Sequence, residues 1–154
     1  MGKLLECEDA GPCERYPAME LVDEENEVWE LKEPWCVDLP GGNRPRRLRI
    51  QKGYRTDGAS IPRAAWCAVG HPLCSSLLRP GLAHDALYSA HLLSKAQSDK
   101  VLYDMVLAGG ANWLKARAIW SAVSMFGGPS WRDKNRKAMA QLVGLCLLPL
   151  AKKP

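Results

Sequence analysis

The stretch from residue 28 to residue 51 constrains the fold most, because apolar and polar residues alternate along it with a period of two. Such alternation is typical of β-strands that bury one face. The turn signal Pro40-Gly41-Gly42-Asn43 separates two of the alternating runs. It predicts a hairpin formed by Trp35–Leu39 and Arg46–Gln51, with Val28–Glu33 as a third strand. The apolar face of this meander must be covered by the segments that follow.

Helical periodicity dominates the second half of the chain. We expect four helices, from Gly81 to Leu92, from Ser94 or Ser98 to Leu107, from Ala111 to Phe126 and from Asn135 to Leu148. Gly109-Gly110 ends the second, and Gly127-Gly128-Pro129 ends the third. A shorter helix, capped by Ser60, precedes them. These elements predict an α+β fold, with a small antiparallel meander of about three strands packed against a cluster of four to five helices.

One stripe of the helix from Ala111 to Phe126 is rich in aromatic residues. Trp113, Ala116, Trp120 and Val123 recur at helical spacing. We expect both tryptophans to lie in the core, because a large apolar stripe on a helix usually packs inward.

The chain of 154 residues has the length of one compact domain. Residues 1–26 are acidic and aperiodic, which predicts an irregular arm; residues 27–131 would form the α+β domain and residues 132–154 a C-terminal helical extension. Residues 1–30 carry ten Asp/Glu and two Lys/Arg, whereas the remainder is strongly basic. The basic residues lack the stacking aromatics of nucleic-acid modules, so nucleic-acid binding is not expected.

No apolar run approaches the roughly 20 residues that a membrane-spanning helix needs. The sequence also shows no secretory signal pattern. We therefore expect a soluble protein without a transmembrane segment, whose six cysteines stay reduced.

The residues best suited to chemistry lie between Thr56 and Tyr88. A turn reads Thr56-Asp57-Gly58-Ala59-Ser60, and a helix carries His84-Asp85-Ala86-Leu87-Tyr88. We expect the turn and the helix to meet in one polar pocket. Asp99 falls on an apolar stripe of the next helix, where a carboxylate needs a partner.

Two interpretations of this group remain open. In one, a neutral His84 takes a proton from water, and Asp85 and Asp57 hold a divalent cation that polarises the substrate. That arrangement would hydrolyse an ester or a phosphoester. In the other, His84 and Asp85 satisfy buried backbone groups, and Asp57 and Ser60 make only turn and cap bonds.

The pentapeptide His84-Asp85-Ala86-Leu87-Tyr88 resembles the His-Asp-x-x-Tyr helix of phospholipases A2. The resemblance implies that His84 is the base, Asp85 a calcium ligand and Tyr88 part of a hydrogen-bond network, with Asp99 as a candidate for the acid that orients His84. The calcium loop and paired cysteines of those enzymes have no counterpart here. Two helices with parallel axes would also leave His84 roughly 6–9 Å from Asp99 along the axis, so only a steep crossing would join them.

A second resemblance covers more of the chain, from about Val28 to Trp131. The strand pair, the motif G-Y-x-T-D-G-A-S-I-P-R, the motif H-D-x-L-Y, a serine-started helix with an inward aspartate and a Trp-rich helix ending in F-G are similar to domain-of-unknown-function family 1353. The matching positions are Gly53, Thr56, Asp57, Gly58, Ser60, Pro62, His84, Asp85, Tyr88 and Asp99. Where the family usually has an arginine shortly before the inward aspartate, this chain has Lys95.

This family resemblance implies a phage or prophage origin and brings no activity with it. Three functions follow as hypotheses: a metal-assisted hydrolase, a non-enzymatic virion or tail-assembly component, and an inhibitor that binds a host protein. The expected location is the host cytoplasm or the virion, and the expected partners are other virion proteins or a host protein.

Overall fold

A computed structural model describes residues 3–6, 13, 16–57 and 76–148. Its strands are β1 (Lys3–Glu6), β2 (Met19–Asp23), β3 (Val28–Leu31), β4 (Trp35–Leu39), β5 (Arg46–Ile50), β6 (Arg55–Thr56) and β7 (Val143–Leu147). Its helices are α1 (Leu78–Ala90), α2 (Lys95–Ala108), α3 (Trp113–Phe126), α4 (Gly128–Arg132) and α5 (Lys134–Lys137), and a 3-10 turn spans Ala140–Leu142. The predicted α+β fold is confirmed.

The strands form two sheets. One has four strands in the order β1-β7-β5-β4, and the other has three antiparallel strands in the order β2-β3-β6. The predicted hairpin is β4–β5, in which Val37 lies opposite Leu48 and Trp35 opposite Ile50. The strand predicted from Val28 pairs with β2 and β6 instead of the hairpin, because Pro34 interrupts the chain between β3 and β4.

The prediction for the chain end is wrong in its secondary structure. The expected helix from Asn135 to Leu148 is the short helix α5, a 3-10 turn and the strand β7. β7 lies between β1 and β5, so it is a central strand, and Val143 through Cys146 are buried. A continuous apolar run suits a central strand as well as a buried helix, and Gly144 weakens the helix.

The first residues are not the irregular arm that their composition predicts. Lys3–Glu6 pairs in parallel with β7, and Met19–Asp23 pairs with β3. The expectation of reduced thiols is also wrong, because a disulfide joins Cys13 to Cys36 at a Cα–Cα distance of 5.3 Å, and Cys146 is disulfide-bonded as well. The proposed domain boundaries stay a prediction.

Helix α1 lies at the centre of the molecule. Every residue from Leu82 to Ala90 is buried, and its apolar side chains share a core with β4, β5 and β7. A second apolar cluster joins α2 to α3 through Leu102, Val106, Ile119 and Val123. Since the segment from Leu82 to Ala90 is buried throughout, the polar side chains within it need partners inside the protein.

The tryptophan stripe of α3 is rotated from its predicted orientation. Ala116, Ile119 and Val123 form the buried face, whereas Trp120 is half-buried and Trp113 is 61% exposed. No helix in the described part of the chain is both long and apolar enough to cross a membrane.

Candidate functional site

Helix α1 carries polar groups on neighbouring sides, and each side meets a different set of partners. His84 and Tyr88 are four residues apart and share one side. Asp85 and Ser89 share another side in the same way. All four side chains are buried.

His84 is paired with Asp99 of α2. Its Nε2 lies 2.8 Å from Asp99 Oδ1, and the Tyr88 hydroxyl donates to the same oxygen at 2.6 Å. The crossing of α1 and α2 therefore closes the gap that a hairpin with parallel axes would leave. Asp99, a candidate from the sequence, thus directly contacts the imidazole that it was expected to orient.

Asp99 receives a third donor on its other oxygen. Lys95 Nζ lies 2.7 Å from Asp99 Oδ2 and also donates to the carbonyl oxygens of Val123 and Ser124, at 2.9 and 3.3 Å. Burial raises the pKa of Asp99, but the hydrogen bonds from His84, Lys95 and Tyr88 outweigh it and hold the pKa below its ordinary value of 3.8. Asp99 is therefore a carboxylate at neutral pH.

The second ring nitrogen of His84 has no hydrogen-bond partner in the described part of the chain. This atom, Nδ1, is fully buried. Because Asp99 is ionised and can only accept, Nε2 of His84 carries a proton, and in the neutral form of the ring Nδ1 carries the lone pair. A buried acceptor without a donor costs about 1–3 kcal/mol, so a purely structural histidine would not be expected to keep one.

The Asp85 carboxylate accepts a hydrogen bond from a hydroxyl and pairs with a cation. The Thr56 hydroxyl donates to Asp85 Oδ2, and Arg136 NH1 lies 3.1 Å from Asp85 Oδ1. The same guanidinium donates through NH2 to Asp57 Oδ1 at 2.7 Å. Attraction by Asp85, followed by that of Asp57, raises the pKa of Arg136 against the effect of burial.

The two carboxylates predicted to hold a metal are thus bridged by an arginine. The described residues contain no group of three His, Cys, Asp or Glu side chains arranged to hold a metal ion. A positive charge that faces both Asp85 and Asp57 belongs to Arg136. Metal binding by the two carboxylates stays a prediction.

Trp131 of α4 closes the His84 side. Its ring meets Tyr88 edge-on at 5.1 Å between centroids, and it stacks on His91 at 3.8 Å. Gly127, just before α4, lets the Tyr88 hydroxyl pack against the backbone, because a Cβ there would lie 2.6 Å from the hydroxyl oxygen. The packing of Tyr88 therefore explains the glycine at the end of α3.

The structure brings most of the predicted residues together. Thr56 at the end of β6 donates to Asp85 of α1, and Asp57 is joined to Asp85 through Arg136. His84, Tyr88 and Asp99 form an adjoining cluster. Ser60 lies outside the described residues. The sequence interpretation missed Arg136 and Trp131, which carry no local motif and reach α1 only through the fold.

Comparison with known proteins finds sequences related to this chain. The model of the family described as "Protein of unknown function (DUF1353)" matches residues 29–123. The chain is 32% identical over 109 residues to the uncharacterized protein y4iH of Sinorhizobium fredii, covering 62% of this chain and 45% of that protein. It is 28% identical over 116 residues to the uncharacterized protein y4jT of the same organism, covering 75% of this chain and 33% of that protein.

The chain therefore spans less than half the length of these curated relatives. No solved structure matches it. The family match covers β3 to α3, and so includes the His84, Asp85, Tyr88 and Asp99 positions. The protein belongs to the DUF1353 family.

Proposed function

We propose that the protein is a small hydrolase in which His84 is the general base and Asp99 orients it. The observation that carries this proposal is the lone pair on His84 Nδ1, which is buried and has no partner in the described part of the chain while Nε2 is held by Asp99. A base needs this combination of a fixed ring and a free acceptor.

The chemistry is water attack on a carboxylic ester. When the segments packed on α1 open enough to admit water and the ester, the buried Nδ1 takes a proton from a water molecule, and the hydroxide so formed adds to the acyl carbon. The imidazolium is stabilised by the Asp99 carboxylate, which Tyr88 and Lys95 hold in position. The same proton then passes from Nδ1 to the leaving alkoxide, so His84 returns to its starting state.

The test compares p-nitrophenyl butyrate with bis(p-nitrophenyl) phosphate, each with EDTA and with added calcium. Wild-type protein should hydrolyse the carboxylic ester, and His84→Gln should lower kcat by about 10²–10⁴-fold. His91→Gln is the matched control, because His91 is the exposed C-cap residue of α1 and lies outside the buried His84–Asp99 pair. Equal rates in wild type and His84→Gln would refute the proposal, and a calcium-dependent rate would favour the metal-assisted form.

A second candidate is a non-enzymatic component that docks on another chain. It is favoured by the outer side of α3, where Trp113, Leu114, Met125 and Phe126 are all exposed, Met125 by 72%. Stable association with a partner protein by wild type, lost in Leu114→Glu, would support it. The phage or prophage origin and the binding of a host protein stay predictions.

A further inference from the structure

A cavity distinct from the His84 site lies at the other end of helix α1. Its volume is about 390 Å³, and it lies between β4, the start of α1 and the end of α2. Its walls are mainly apolar and include Val37, Leu39, Pro80 and Met105, with Tyr16 at one side. A cavity of this size accommodates a small organic ligand.

Arg79 brings a positive charge to this cavity. Its Nε is buried, and none of its nitrogens has a hydrogen bond or an ion pair in the described part of the chain. Its guanidinium carbon instead lies 5.8 Å from the centre of the Tyr16 ring. A guanidinium without an anionic partner beside apolar walls is costly, so the pairing is left for a ligand to complete.

Among the described residues that line the cavity, Asp38 is the one carboxylate, and it is already paired. Asp38 receives Arg47 Nε on Oδ1 at 2.6 Å and Arg47 NH2 on Oδ2 at 3.1 Å. This two-point pair compensates both charges, since Asp38 and Arg47 face each other on β4 and β5. Arg79 therefore remains the charge in this cavity that a ligand would meet.

We propose that this cavity binds a carboxylate monoanion with a short apolar chain or ring. A planar carboxylate matches the parallel N–H donors that the two terminal nitrogens of a guanidinium present. A single arginine next to Asp38 favours one negative charge over the two of a phosphate monoester. The walls around Val37, Leu39 and Met105 would bury the apolar part of the ligand.

The Cys13–Cys36 disulfide supports the cavity wall. Tyr16 lies three residues after Cys13, and Cys36 is next to Val37, so the disulfide ties the Tyr16 segment to β4. Reduction would remove this covalent tie between the Tyr16 segment and β4. We therefore expect reduction to weaken ligand binding without touching Arg79.

The direct test is calorimetric titration of the intact, oxidised protein with hexanoate, hexanamide and hexyl phosphate. Hexanoate should bind with a Kd of about 1 mM or tighter, and at least tenfold more tightly than hexanamide, which has the same chain without the charge. Equal binding of hexanoate and hexanamide would overturn the proposal. Tighter binding of hexyl phosphate than of hexanoate would overturn the carboxylate assignment.

Variants locate the site. Arg79→Gln should weaken hexanoate at least tenfold, while Arg117→Gln should not, although Arg117 also lies over an aromatic ring, that of Trp120. Ala108→Phe, at an exposed position on the cavity rim, should weaken hexanoate without altering the core. Unchanged hexanoate affinity in both Arg79→Gln and Ala108→Phe would place binding elsewhere and refute the site.

Discussion

The His84 side and the Asp85 side of helix α1 contain similar residue types but differ in what is left unpaired. Asp85 faces the Thr56 hydroxyl and the Arg136 guanidinium, so its charge is compensated. His84 uses one nitrogen for Asp99 and leaves the other without a partner in the described residues. Burial of polar groups is thus common to both sides, and only the unused acceptor distinguishes a candidate reactive group from a structural one.

The difference has a simple electrostatic cause. A buried carboxylate must be paired, because an isolated buried charge costs several kcal/mol. A neutral imidazole can remain half-paired at a smaller cost. We therefore expect the Asp85 side to matter mainly for stability and the His84 side mainly for chemistry.

Removal of Arg136 should have the largest effect on stability. Arg136→Met leaves Asp85 buried without its cation, and we expect a loss of about 3–5 kcal/mol in the free energy of unfolding, measured with urea. Arg132→Met is the control, because Arg132 is exposed, and should change stability by less than about 0.5 kcal/mol. A loss below about 1 kcal/mol for Arg136→Met would mean that the Asp85 side is not a structural ion cluster.

Asp99→Asn should come next, with a loss of about 1.5–3 kcal/mol at pH 7, because three donors lose their charged acceptor. The folded-state pKa of Asp99 is lowered, so its contribution is present above the unfolded pKa and is lost as pH falls through the folded value. Unfolding midpoints of wild type and Asp99→Asn should converge below about pH 4. A constant difference between pH 7 and pH 3 would contradict the assignment.

Gly127→Ala should cost about 1–3 kcal/mol, because the added Cβ would clash with the Val123 carbonyl oxygen and lie 2.6 Å from the Tyr88 hydroxyl oxygen. Gly109→Ala is the matched control, since its Cβ would find its nearest neighbour, the Met105 carbonyl oxygen, at 3.4 Å. Both are read from thermal unfolding by circular dichroism. Equal stability of the two variants would show that Tyr88 is not confined by Gly127.

His84→Gln should have the smallest effect on stability, below about 1 kcal/mol, because the glutamine amide can still donate to Asp99. The same variant should lose ester hydrolysis. Comparison with Arg136→Met, measured in the same urea series, separates the two sides of α1. A loss above about 3 kcal/mol for His84→Gln would support the structural interpretation of the pair.

Local sequence patterns predicted the parts of the site that are close in the chain. The His84-Asp85-x-x-Tyr88 spacing predicts that these three residues lie on one helix. The apolar stripe around Asp99 predicts a buried carboxylate that needs a partner, and both features are present. The β4–β5 hairpin followed from alternation and a turn. In each case a few neighbouring residues determine the structure.

The missed parts depend on contacts far apart in sequence. Arg136 pairs with Asp57 across 79 positions, and no local pattern marks it among the other basic residues near the chain end. The sequence predicts a helix where β7 lies, because a short apolar run does not distinguish a buried helix from a buried strand. The prediction that Trp113 lies in the core is wrong, because Ile119 and Val123 define the buried side of α3.

The central claim is that His84 carries its proton on Nε2 and a free lone pair on Nδ1. Long-range ¹H–¹⁵N correlation spectra of ¹⁵N-labelled protein at neutral pH measure this directly, with His84→Gln identifying the signal. We predict a protonated Nε2 and an unprotonated Nδ1 for His84. A proton on Nδ1 in the neutral ring would contradict the account, because the base would then have no lone pair to offer.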